Sequence, residues 1–311
     1  MGRARGARID GVLLLDKPAG MTSNRALQSA RRLLNAEKAG HTGTLDPLAT
    51  GLLPLTFGEA TKFSADLLEA DKSYRATVKL GVMTTTGDAE GEVTATAPVA
   101  VDDAAMDAVL ARFTGTIEQV PPMHSALKRD GRPLYELARA GVEVERAPRQ
   151  VQIYALSHVQ RDGDTLVLDV DCSKGTYVRV LAEDIGRALG CGAHLTALRR
   201  TRVGRLRLDD AVTLPELEAL DERQRRARLA PVDALVASLP RVDLDDALSE
   251  RFRLGQRLAI EAQPRGARVR VYAPQQRLLG TANVSEWGVV APERLMAGDA
   301  GPDRITEKAT S

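Results

Sequence analysis

The chain has 311 residues, 43% of them hydrophobic and 27% charged, which suffices for a packed core and excludes global disorder. Its 43 basic residues nearly cancel 42 acidic ones, for a net charge of +1, so it is no bulk polycation and any nucleic-acid surface must be a local cluster. Two cysteines without a CxxC, four scattered histidines without ligand spacing and no run of about 18 apolar residues exclude a disulfide scaffold, a zinc site and a membrane span, and fit a cytoplasmic protein.

Residues 1–8 read as a basic tail. The apolar run 12–15 predicts a buried strand, and Asp16-Lys17-Pro18-Ala19-Gly20 breaks it. Thr22 or Ser23 can cap a helix carrying Leu27, Leu33 and Leu34. Residues 40–51 read as a loop and 52–57 as a second buried strand, although Pro54 argues against a central one. A short helix with Leu67 and Leu68 follows. Residues 73–82 alternate, with Tyr74, Ala76, Val78 and Leu80 on one face. A polar loop at 84–91, an amphipathic helix at 102–113 and a short helix at 134–140 come next. Residues 151–159 and 165–172 flank a Gly-containing turn and predict a hairpin. Ser173-Lys174-Gly175-Thr176 leads into a helix ending near Leu189. The charged stretch 216–230 reads as one solvated connecting helix. Beyond it a helix at 245–254 and short strands at 269–272, 278–284 and 287–290 suggest a small β-barrel. Without a βαβ rhythm the fold class is α+β with a mixed or antiparallel sheet.

Four groups of residues could carry chemistry. In Gly40-His41-Thr42-Gly43-Thr44-Leu45-Asp46-Pro47, the proline keeps Asp46 out of the helical region, so a rigid loop can present its carboxylate; a turn cap is the alternative. Tyr177 and Arg179 begin a helix at a sheet end. An arginine there opposes the helix dipole, and a carboxylate partner such as Asp46 would explain it. Tyr74 is either a core aromatic or part of a site. Leu198-Arg199-Arg200-Thr201-Arg202 is either a phosphate-binding stripe or a solvated helix face. Asp88, in Thr86-Gly87-Asp88-Ala89-Glu90-Gly91, reads as a turn residue.

Taken in order, the motif at 11–23, the Gly-His-Thr-Gly-Thr-Leu-Asp-Pro string, Asp71-Lys72-Ser73-Tyr74-Arg75, Ser125-Ala126-Leu127-Lys128, Cys172–Arg179 and Gly192–Arg200 closely resemble the TruB family of bacterial tRNA pseudouridine synthases. The resemblance is strong over 9–210 and weaker beyond. It implies a pseudouridine-synthase fold with a central mixed sheet at 9–235, a thumb-like RNA-contacting insertion at 122–144, a PUA-like RNA-binding domain at 236–300 and a flexible tail at 301–311. It implies uridine isomerisation at position 55 in the tRNA T-loop, with Asp46, Tyr74 and Arg179 as catalytic residues. His41, Tyr177, Leu198, Lys17, Gly43, Thr44, Lys128, Arg199 and Arg200 are implied as substrate-binding. No metal and no cofactor are expected, because the product is an isomer. The expected partner is the tRNA T-arm; neither a membrane nor an obligate protein partner is expected, and the chain is expected to be a monomer. A tRNA-folding chaperone and a guide-RNA-dependent synthase subunit are the alternatives.

Overall fold

A continuous apolar run suits only a strand covered on both faces. In β1 (Gly11–Lys17), Val12, Leu13 and Leu15 are fully buried. The computed structural model describes residues 6–125, 127–129 and 131–297, so the start of the basic tail and the whole tail at 301–311 lie outside the described residues. Thr22 caps α1 (Ser23–Leu33), accepting a hydrogen bond from the Arg25 N–H. The predicted loop at 40–51 is shorter than expected: β2 (Ala39–His41) ends and β3 (Thr50–Phe57) begins inside it, leaving 42–49 irregular. Next come α2 (Ser64–Leu68), β4 (Lys72–Leu80), a small hairpin of β5 (Val82–Thr84) and β6 (Val93–Thr96), and α3 (Asp103–Arg112). They are followed by β7 (Gly115–Gln119), the paired β8 (Lys128–Arg129) and β9 (Arg132–Pro133), and α4 (Leu134–Arg139). β10 (Arg149–Asp162) and β11 (Thr165–Cys172) form a hairpin, and α5 (Val178–Ala188) leads to β12 (Ala193–Val203), β13 (Leu206–Arg207) and β14 (Val212–Thr213).

The main sheet runs β14-β1-β3-β12-β4-β11-β10-β7 and is mixed, with β1–β14 and β3–β12 parallel and the other pairs antiparallel. Pro54 sits in the interior strand β3 after all. β1 pairs the full length of β3, but on its other edge β12 takes residues 50–51 and β2 takes 55–57, so the residue without an N–H falls in the gap. One core gathers β4, β11, α3 and α5 around Val78, Leu168 and Ile185; another gathers β1, β3 and α1 around Leu13, Leu55 and Ala26. Tyr74 and Leu198 pack against both.

The stretch 216–230 is not one solvated helix. Leu220 is extended, and Asp221 starts a new helix with a capping box, giving α6 (Leu214–Ala219) and α7 (Glu222–Ala227). Arg225 turns inward and donates to the carbonyls of Leu217, Glu218 and Leu33. β15 (Leu229–Ala230) then pairs with β1. The chain divides into compact units after Ala230.

The unit from Pro231 contains β16 (Arg241–Asp243), α8 (Asp246–Arg253), β17 (Leu258–Ala259), β18 (Arg268–Ala273), β19 (Arg277–Val284) and β20 (Val289–Leu295). Its strands form a curled half-barrel in the order β16-β18-β19-β20-β17, around a core that includes Phe252, Val271 and Val290. Trp287, expected to open a strand, is 82% exposed in the turn before β20.

Candidate active site

The irregular segment 42–49 is pinned at several points. Ser23 Oγ donates to the Leu45 carbonyl (3.0 Å) and accepts from its N–H (2.8 Å). The Pro47 carbonyl accepts from the Gly20 N–H, and the Thr42 N–H reaches the Pro54 carbonyl. Lys17, fully buried, donates from Nζ to the carbonyls of Pro18 (2.8 Å), Met21 (2.7 Å) and Pro47 (3.4 Å). Burial lowers its pKa to about 8, with Asp46 opposing the shift. Lys17, expected to support the active-site region and grouped with the substrate-binding residues, has its ammonium held by backbone carbonyls and ties the loop down.

This loop places Asp46 against the start of α5. Arg179 Nη2 lies 3.1 Å from Asp46 Oδ2, and Arg179 Nη1 lies 3.3 Å from Asp88 Oδ2. The same two nitrogens donate to the carbonyls of His124 (2.6 Å) and Thr86 (3.2 Å). Arg179 is the partner of Asp46 that the helix-dipole argument asked for. The Arg179 side chain is 7% exposed and that of Asp88 4%, whereas that of Asp46 is 42% exposed and can be reached. Burial raises the Asp46 carboxyl above its ordinary range, Arg179 pulls it back, and the like charge of Asp88 pushes it up again. In sequence Asp88 reads as a turn residue. Thr86 Oγ1 donates to its carboxylate (2.6 Å), as in a turn, but the other oxygen faces Arg179. The threonine two positions before the aspartate is the local sign that the carboxylate is held; its distant partner leaves none.

Tyr74 lies directly across the ladder from Arg200, and the two side chains interact electrostatically. Burial raises the phenol pKa and Arg200 opposes the rise. Arg199 and Arg200, which in sequence read as a phosphate stripe or a solvated helix face, belong to a strand, and alternation sends them to opposite faces. Arg200 is 1% exposed and cannot meet phosphate. Arg199 is accessible but engaged, with Nη1 and Nη2 3.1 and 2.6 Å from the two oxygens of Asp16. Tyr177 is fixed through its backbone: its N–H donates to Gln119 Oε1 (3.0 Å) and its carbonyl accepts from Gln119 Nε2 (3.3 Å). His41 is half-buried, and burial followed by Arg200 lowers its pKa, which favours the neutral ring. Its Nδ1 has no hydrogen-bond partner among the described residues. Thr44 is exposed, while the Gly43 carbonyl faces Arg200. The side chain of Lys128 lies outside the described residues.

Beside these groups opens a cavity of about 610 Å³ lined by Gly20, Leu48, Thr50, Glu90, Leu198 and Arg199, a size that suits a nucleotide.

Known proteins match along almost the whole chain. Residues 31–178 match the N-terminal domain of the TruB family of pseudouridylate synthases. Residues 179–237 match a tRNA pseudouridylate synthase B C-terminal domain, and 240–296 match a pseudouridine synthase II TruB C-terminal domain. The chain is 62% identical over 289 residues to tRNA pseudouridine synthase B of Dechloromonas aromatica (strain RCB), covering 93% of this chain and 96% of that protein. It is 63% identical over 306 residues to the same-named protein of Burkholderia mallei (strain ATCC 23344), covering 96% and 98%. Among solved structures, it is similar to a Cbf5-Nop10-Gar1 complex with TM-score 0.74, 29% identity and 92% and 84% coverage. An H/ACA RNP bound to a substrate RNA containing 2'-deoxyuridine gives TM-score 0.71, 26% identity and 93% and 85% coverage. A reachable, arginine-held aspartate beside a tyrosine, on a fold that these relatives share nearly end to end, leaves one conclusion: the chain belongs to the TruB family of pseudouridylate synthases.

Proposed function

We propose that this chain isomerises uridine to pseudouridine at position 55 in the T-loop of tRNA, with Asp46 as the nucleophile. The observation that carries the reading is the Asp46 carboxylate, 42% exposed yet 3.1 Å from a buried guanidinium. Arg179 keeps the carboxylate ionised and aimed, as a covalent nucleophile requires. Attack is at ribose C1′ or at C6 of the base. The glycosidic bond breaks, the uracil turns while held, and C5 bonds to the ribose. C5 gives up a proton and N1 takes one, so atoms balance without a cofactor. Tyr74 and Leu198, joining the two cores, would line the flipped base, and neutral His41 would fill the space it vacates in the loop. Flipping costs a few kcal/mol, least in a loop. The unit from Pro231 would add RNA contacts on the acceptor side; Arg253, Arg257 and Arg268 are its candidate residues.

The chain would act as a cytoplasmic monomer. Both cysteines are free and buried, and no helix among the described residues is long and apolar enough to cross a membrane. A guide-RNA-dependent subunit is the second reading, favoured by the likeness to the Cbf5-Nop10-Gar1 complex. One assay separates them: tritium release from a tRNA transcript labelled at C5 of uridine, with purified protein and chelator. Wild type should release one equivalent from the T-loop, and Asp46→Asn should release none while still binding tRNA through phosphate contacts. Turnover by Asp46→Asn would overturn the nucleophile assignment. Wild-type binding without release would favour a chaperone or a partner-dependent subunit.

A further inference from the structure

Two arginines are buried at this site, and they are neutralised differently. Arg179 has two carboxylates. Arg200 forms no ion pair with a carboxylate among the described residues. Its Nε donates to the Leu52 carbonyl (2.8 Å), its Nη2 donates to the Gly43 carbonyl (3.2 Å), and Tyr74 is its direct cross-strand neighbour, with the phenol coupled to its charge. A guanidinium is strongly disfavoured out of water unless its donors are satisfied and its charge is met. The charge is felt around it: burial lowers the pKa of Lys17, Lys72 and His41, and Arg200 adds to the lowering in each. The group nearest to becoming its counterion is the phenol oxygen of Tyr74. Gly43, three residues before Asp46, hangs on the same guanidinium, so one rigid fork joins the tyrosine, the nucleophile loop and β3.

We propose that Arg200 is a positioning residue for Tyr74: it fixes the phenol oxygen over the base pocket and stabilises negative charge there. This rests on the pseudouridine-synthase reading above. In that reaction a proton leaves C5 after C5 bonds to the ribose. A Tyr74 phenolate accepts it, becomes the neutral phenol, and later returns the proton to solvent. The guanidinium favours the phenolate on each cycle. The charged or titratable groups facing Tyr74 are Arg200 on β12, Cys172 on β11 and Asp46 on the loop; Arg200 alone among them is a cation.

The test is single-turnover tritium release from C5-labelled tRNA, from neutral to alkaline pH, for wild type, Tyr74→Phe, Arg200→Lys, Arg200→Gln and each Arg200 variant combined with Tyr74→Phe. Folding is checked by circular dichroism, and the reaction amplitude gives the active fraction. Arg200→Gln should slow release about tenfold to a hundredfold at neutral pH and move the alkaline rise upward. Arg200→Lys, which keeps the cation but not the fork, should fall between it and wild type. tRNA affinity and its salt slope should not change, because the side chain touches no phosphate. In the Tyr74→Phe background the same substitutions should change the rate less than about twofold. Equal slowing in both backgrounds, an unmoved pH profile, or a flattened salt slope each overturns the proposal. So does failure of both Arg200 variants to fold, which would make the residue a holder of the core. If wild type itself releases nothing, the enzymatic reading fails first and this one goes with it, whereas an active wild type with an indifferent Arg200 removes this proposal alone.

Discussion

Arg179 is shared by two aspartates of unequal exposure, and the inequality sets their roles. Asp46 reaches solvent; Asp88 is sealed in and raises the Asp46 pKa by its like charge. Replacing Asp88 by Asn should therefore move the acid limb of the pH–rate profile downward, because Asp46 ionises more readily. Turnover at neutral pH should fall about tenfold, because Arg179 loses its second anchor. An acid limb that stays put or moves up would show that Asp88 does not act on Asp46. Lys17 offers a stability test. Its folded pKa of about 8 lies below the ordinary 10.5, so between those values the unfolded chain binds more protons than the folded one, and stability rises with pH. The melting temperature of wild type relative to Lys17→Met should climb across that window, and a flat difference would mean that burial does not shift Lys17. The sequence shows Asp46 because glycines and a proline bracket it, and it shows Arg179 because the helix dipole makes an arginine there conspicuous. The burial of Asp88 and Arg200 escapes it, since a buried charge leaves no local pattern of its distant partner.

Among the elements, the junction of β3 and β12 is a close one. Gly51 has φ +97°, and a Cβ there would lie 2.3 Å from the Arg200 carbonyl oxygen. Gly51→Ala should destabilise the protein by more than about 3 kcal/mol. Gly20→Ala shares a positive φ (+71°) but meets open space, and should cost only about 1 kcal/mol. Urea unfolding midpoints compare the two, and equal losses would show that close approach of the strands is unimportant. Strands with apolar alternation, such as β4 and β11, are plain in the sequence. β12 is not, because its middle carries arginines on both faces, one buried and one paired, and the period of two disappears. The break between α6 and α7 is also hidden: both halves are charged helix formers, and only the Asp221 cap marks the second start.

At the scale of the molecule, each unit closes its own core. A chain ending at Ala230 should fold cooperatively and keep the chemical step in single turnover, with weaker tRNA binding. A chain ending at Asp210 should aggregate, because it lacks β14 and β15. Light scattering and tritium release distinguish them, and a soluble, active shorter chain would contradict the importance of that closure. The charged stretch 216–230 reads as a connector in the sequence, but the pairing of 212–213 and 229–230 with β1 is a long-range fact that composition does not encode. That pairing has a consequence for biosynthesis. β1 can meet β3 early, yet its other edge, where Val12 and Leu13 pair with β15 and Leu15 and Asp16 pair with β14, waits for residues 212–230. At a translation rate on the order of 10 residues per second, the nascent chain spends roughly ten to thirty seconds with that edge open. The ribosome-bound intermediate is therefore where a trigger-type holdase would be needed most, and slowing elongation after β3 should lower the soluble yield without touching the finished enzyme.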